Sequence, residues 1–325
     1  MKRILALVLA LLLLTGCGAA AQPSTPTAAE TTAPQATAEA SNAGILEGKK
    51  IIFIGNSFTQ SAYTVFDYGY ERLTQDERVH DNGMFYQLCK ANGVEVDVTS
   101  WCFGGHNIAD TFAEACTATA KSCTGENHPA YLTDPYYDYV AIQCYKEPLY
   151  DGDLKAYLEP VFDFFRQANP DVKFMLLVPH MAMEQEYAWI DQLEIMRDEG
   201  VLICNWGGML HDIVKKKVTV PGAEQPYSRP TFVISVSQED GYHQNILAGY
   251  LTALMTYCIL TGDSAVGQPY DFCDNPKIDS RFDLEVYQSK KYIYEPYTNF
   301  VEVFRSEPDM LGLQQLVDQY IAKFN

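Results

Sequence analysis

The chain has 325 residues, 42 of them Asp or Glu and 23 Lys or Arg, for a formal net charge of −19 at pH 7. So acidic a surface repels polyanions, which argues against nucleic acid or anionic lipid as a partner and favours neutral or cationic ligands. Apolar residues make up 47% and aromatic residues 13% of the chain, a globular composition with enough material for a sizeable core.

Lys2 and Arg3 precede an apolar stretch over residues 4–14, and Leu14-Thr15-Gly16-Cys17 follows. A basic start, a short apolar run and small residues at its end predict a secretory signal over residues 1–16, too short to span a membrane as a mature helix. The cysteine directly after "LTG" resembles the lipobox of bacterial lipoproteins, which implies cleavage before Cys17 and lipidation of its sulfur. The expected location is therefore extracytoplasmic, anchored to the cell membrane by the lipid alone. The other reading is an ordinary secreted protein. Residues 17–46 comprise the lipidated cysteine and an Ala/Thr/Pro-rich stretch, which buries too little apolar surface to order itself and predicts a tether. Residues 47–325 are expected to form one domain.

Within that domain, short apolar runs recur at 51–54, 94–98, 139–142, 174–178 and 201–204. Helical patterns lie between them. "GMFYQLCKANG" closes on Asn92-Gly93 as a C-cap, and "LKAYLEPVFDFFRQANP" places Leu154, Leu158, Val161, Phe162 and Phe165 on one face. Strands alternating with helices predict a three-layer α/β/α sandwich around a central, mostly parallel five-stranded sheet. Segments 60–81 and 215–230 interrupt the alternation and are expected as insertions. "ILAGYLTALMTYCILTG" predicts a long apolar helix.

Nine cysteines, less Cys17, leave an even number in an exported chain, so disulfides are open, with Cys116 and Cys123 the favoured pair. Cys89, Cys144, Cys204 and Cys258 sit in apolar patterns, where a free thiol acts as a small hydrophobe. No CxxC, no phosphate loop of the G-x-x-x-x-G-K kind and no histidine pair at metal-ligand spacing occurs, so neither metal nor cofactor is expected.

In a parallel sheet the working residues stand just past the carboxyl ends of the strands, and "IIFIGNSFTQ" puts Ser57 there. Taken alone, such a serine is as readily a helix N-cap. As a nucleophile it needs a base, and the base needs a carboxylate. His243 in "QEDGYHQN", with Asp240 three residues before it, offers both in one turn. By itself D-x-x-H says little, because Asp240 could equally cap the helix that follows.

Four blocks in order, "IIFIGNSFT", "SWCFGGHN", "YVAIQCYKEP" and "DGYHQNILAGYLTALMTYCILTG", resemble the SGNH/GDSL hydrolases, the nearest likeness being the bacterial branch with a GNSFT serine block. The resemblance spans residues 50 to 262 and implies the flavodoxin-like SGNH fold. It implies Ser57 as nucleophile, His243 as general base and Asp240 as its orienting carboxylate. It further implies an oxyanion hole from the backbone of Ser57, Gly105 or, one register earlier, Gly104, and a side-chain amide after the third strand. Many family members have asparagine at that last place. This chain has Gln143, the same donor one methylene longer.

Asn56 and Gly55 would form the tight turn below the serine, with Asn56, Gly104, His106 and His180 as possible substrate contacts. His80, His128 and His211 stand in polar contexts and are expected at the surface. Tyr136, Tyr137 and Tyr139 are read as packing before sugar stacking. The activity implied is hydrolysis of a small acyl ester, acetyl above all, on a carbohydrate. The alternatives are a carbohydrate-binding lipoprotein that has lost turnover, and a lipase or phospholipase.

Overall fold

In strand β1, Lys50–Gly55, residues 51–55 are all buried, because helices cover the sheet from both sides and every side chain must be apolar or small. The computed structural model describes residues 42–56, 58, 79–80, 83–102, 120–121, 127–128, 135–143, 153–179, 190–223, 227, 232, 244, 246–270 and 307–325. The further strands are β2 Val79–His80, β3 Asp97–Cys102, β4 Ala120–Lys121, β5 Asn127–His128, β6 Tyr139–Gln143, β7 Lys173–Leu177 and β8 Leu202–Cys204. The helices are α1 Gly83–Ala91, α2 Leu154–Ala168, α3 Ile190–Asp198, α4 Trp206–Val214, α5 Ile246–Thr261 and α6 Glu307–Phe324.

The main sheet runs β2-β3-β1-β6-β7-β8, and its five longer strands are mutually parallel. Numbered in chain order, those five read 2-1-3-4-5, the doubly wound order. The expected sandwich with its mostly parallel five-stranded sheet is therefore present. It gains one antiparallel edge pair, Val79 and His80 of β2 against β3, from the segment expected as an insertion. Strands β4 and β5 form a separate two-stranded ladder.

Strand register shows which helices lie on which face. Ile52, Val140 and Phe174 are in register, as are Phe53, Ala141 and Met175, and successive residues of a strand point to opposite faces. Phe174 stacks on Phe162 of α2, with ring centroids 4.1 Å apart, whereas Phe53 meets Phe85 of α1 edge to face at 5.1 Å. Helices α1 and α2 therefore cover opposite faces. Helix α3 contacts α2, while α5 contacts α1, α4 and α6.

Local signals terminate the elements where the chemistry demands. Asp153 caps α2 by accepting from Ala156 N at 3.0 Å. Gly93, at φ 73°, ends α1, with Gly93 N donating to Lys90 O and Val94 N to Cys89 O, the paired bonds of a left-handed cap. That cap corrects the second strand. The run 94–98 is buried at Val94, Val96 and Val98, yet the ladder opens only at Asp97, opposite Lys50, because residues up to 96 complete the turn out of α1.

Two further expectations change, and one helix, α4, stands where the sequence drew no element, between β8 and the segment 215–230. A Cβ at Gly207 would lie 2.5 Å from Pro179 C and O, so glycine lets α4 approach the end of β7. His211 is not on the surface. It is buried in α4, because that helix packs against α5 and α6. The folded unit also begins before residue 47, since Leu46 of a 3-10 turn, Ala43–Leu46, is fully buried and the turn packs on α5.

Candidate active site

The order 2-1-3-4-5 places the switch point between β1 and β6, where connections leave the sheet in opposite directions and open a crevice at the carboxyl ends. Two buried amides meet there. Asn56 follows β1 and Gln143 ends β6, each 1% exposed. Asn56 Oδ1 accepts from Phe58 N at 3.0 Å and from Gln143 Nε2 at 2.8 Å. A backbone N–H can only donate, so Phe58 N identifies the Asn56 oxygen, and that oxygen in turn identifies the Gln143 atom facing it as nitrogen.

The bond from Asn56 to Phe58 spans position 57. It is the side-chain-to-backbone turn that asparagine forms two residues on, and it fixes the backbone on either side of Ser57. Gln143 adds a clasp across the switch point from the neighbouring strand. One N–H of its amide is used on Asn56, and the second remains for another acceptor. Its Oε1 is buried without a hydrogen-bond partner. Leaving such an acceptor unpaired costs about 1–3 kcal/mol, a cost that a binding site tolerates better than a core does.

A third buried amide stands after β8. Asn205 caps α4 by accepting from Gly208 N at 3.0 Å, and its Nδ2 has no acceptor. A fourth, Gln244, precedes α5 and donates to Thr252 Oγ1 at 2.6 Å. Neither Asn205 nor Gln244 was singled out by the sequence. The available signals were an Asn in capping position before "WGGML" and a Gln next to a candidate histidine.

The structure thus brings together two of the expected residues, Asn56 and Gln143. Cys17, Ser57, Gly104, Gly105, His106, His180, Asp240 and His243 lie outside the described residues, as do Cys116, Cys123 and Cys144. Of the tyrosines, Tyr139 is buried, Tyr137 meets Phe165 edge to face at 6.0 Å, and Tyr136 is exposed. Cys89, Cys204 and Cys258 are free and buried, as small hydrophobes should be. Burial pushes the Cys204 thiol up to about 12 and raises Cys89 and Cys258 as well, so none is an activated nucleophile. Among the described residues, no cluster of His, Cys, Asp or Glu could hold a metal ion, and no helix is long and apolar enough to cross a membrane.

No family model and no curated protein matches this sequence. Solved structures do. A GDSL-like lipase from Parabacteroides merdae is 15% identical, with 66% of this chain and 96% of that one covered at a TM-score of 0.40. A catalytic mutant of an acetylxylan esterase from Geobacillus stearothermophilus is 14% identical, with 66% and 95% covered at 0.41. An SGNH hydrolase from Slackia heliotrinireducens is 13% identical, with 67% and 100% covered at 0.35. These solved structures are thus named as a GDSL-like lipase, an acetylxylan esterase and an SGNH hydrolase, and this chain's own parallel-strand order, 2-1-3-4-5, is the flavodoxin-like one.

Proposed function

We propose that this chain is an extracytoplasmic serine esterase that removes a small acyl group, acetyl above all, from a carbohydrate. The observation that carries the reading is the buried Asn56–Gln143 clasp at the switch point, on the two strand ends where the sequence sets its serine block and its amide block. Ser57 attacks the ester carbonyl while His243, oriented by Asp240, takes the hydroxyl proton. The developing oxyanion is met by the backbone N–H of Ser57 and Gly105 and by the second N–H of Gln143. The leaving sugar hydroxyl receives the proton from His243, and water then hydrolyses the acyl-serine with His243 as base again. Lipidation of Cys17 holds the enzyme at the membrane, and the acidic surface suits a neutral glycan.

The test is hydrolysis of p-nitrophenyl esters from acetate to octanoate by the full chain in mild detergent, beside S57A. Turnover of acetate that S57A abolishes is the expected result. Equal rates for both proteins would remove the triad, a preference for octanoate would move the substrate to lipids, and no turnover would favour a binding protein on the same fold.

A further inference from the structure

Gln244 stands next in the chain to His243, and its side chain is 1% exposed. Its Nε2 reaches Thr252 Oγ1 at 2.6 Å, eight residues on in α5. The Thr252 hydroxyl is itself tied, donating to Ala248 O at 2.7 Å one turn earlier, and Thr252 is fully buried. A hydroxyl has one proton and two lone pairs, so both bonds are made at once with no rotational choice left.

The helix that receives this bond is fixed. Leu247, Ala248, Tyr250 and Leu251 are fully buried, and α5 packs on α1 and α6. Gln244 precedes the first residue of α5, Ile246, by two positions. Its side chain therefore joins the incoming chain to the body of the helix two turns in. That bond restrains the side chain and backbone of residue 244, the residue that follows His243 in the chain. A glutamine that only needed to be satisfied could turn to solvent at the end of a helix. This one is drawn inward to the first of three buried threonines in α5, Thr252, Thr256 and Thr261, each of which donates its hydroxyl to the carbonyl one turn earlier, and only Thr252 also accepts from Gln244.

Resting on the esterase reading above, we infer that Gln244 and Thr252 form a positioning pair that aims His243 at the serine. Neither touches substrate. The pair acts through the backbone of residue 243, as the Asn56–Gln143 clasp acts on residue 57. Misplacement of a catalytic group by about 1 Å can cost on the order of 100-fold in rate, so the loss should appear in turnover and not in substrate binding.

The experiment measures kcat and KM on p-nitrophenyl acetate, with the thermal midpoint, for the full chain, Q244M, T252V, T252S and S57A. Q244M and T252V are expected to lose about 10- to 100-fold in kcat with KM within about twofold. T252S keeps the hydroxyl and should recover most of kcat, and the Q244M/T252V double variant should be no slower than the slower single one. Lowered midpoints with kcat unchanged would overturn the inference and leave a merely structural bond. Should Q244M fail to fold, T252V against T252S decides the question. S57A at the wild-type rate would remove the esterase reading itself, whereas an inactive S57A beside a fully active Q244M would remove only the positioning role. A wild type without turnover on any ester removes both.

Discussion

Asn56 does two jobs with one oxygen. It closes the turn over position 57 through Phe58 N and anchors the amide of Gln143 from the next strand. Removing it strands the Nε2 donor of a buried Gln143 amide whose one oxygen is already unpaired, so N56A should cost about 1–3 kcal/mol of stability. Q143A, which removes the donor together with that unpaired oxygen, should cost less. The two effects are coupled because the residues touch, and the double variant should fall short of the sum by about 1 kcal/mol in denaturant titrations. Full additivity would mean that the 2.8 Å contact contributes nothing. Of its two amide N–H groups Gln143 uses one on Asn56, which leaves the other for a further acceptor.

Among the elements, β8 has the most to protect. It is the last strand of the main sheet, where open backbone groups invite pairing with another chain. Asn325 covers it. Its Oδ1 accepts from Ile203 N and its Nδ2 donates to Ile203 O, both at 2.9 Å, so one side-chain amide takes the place of a neighbouring strand. N325A should lower stability by about 1 kcal/mol and raise self-association, read as a lower thermal midpoint and greater light scattering on heating. Unchanged scattering would show that neighbouring elements shield the edge instead. Helix α6 is bound to the same region a second time through Tyr320 OH, which donates to the buried Asp212 carboxylate of α4 at 2.5 Å.

Seen across the fold, polar ties hold both ends of the sheet. At the end away from the candidate site, Asp138 accepts from Lys49 Nζ and Lys50 N, both at 2.9 Å, and joins the starts of β1 and β6. Burial works to raise the Asp138 carboxyl, but the hydrogen bonds from Lys49 and Lys50 outweigh it and hold the group below its usual value. A depressed carboxylate contributes stability above its unfolded value near 4, and the contribution is lost as pH falls through the folded value. D138N should therefore melt a few degrees lower than wild type at pH 7, with the gap closing below about pH 4. A gap independent of pH would assign the effect to packing and not to charge.

The doubly wound sheet was legible because strands buried on both faces must be continuous apolar runs, and 51–54, 139–142 and 174–178 are such runs. Gly93 and the face of α2 were legible for a related reason: caps and helical period are local rules. Helix α4 was hidden by Gly207, whose purpose is a close approach to Pro179 from a different part of the chain. His211 was expected at the surface from its residue type, whereas the packing of α4 against α5 and α6, elements distant in sequence, buries it. The serine, histidine and carboxylate of the proposed site come from sequence blocks, since reactive groups are recognised by residue type. The amides that hold the chain beside them, Gln143 on Asn56 and Gln244 on Thr252, depend on contacts 87 and 8 residues apart, and only packing brings those atoms within hydrogen-bond reach.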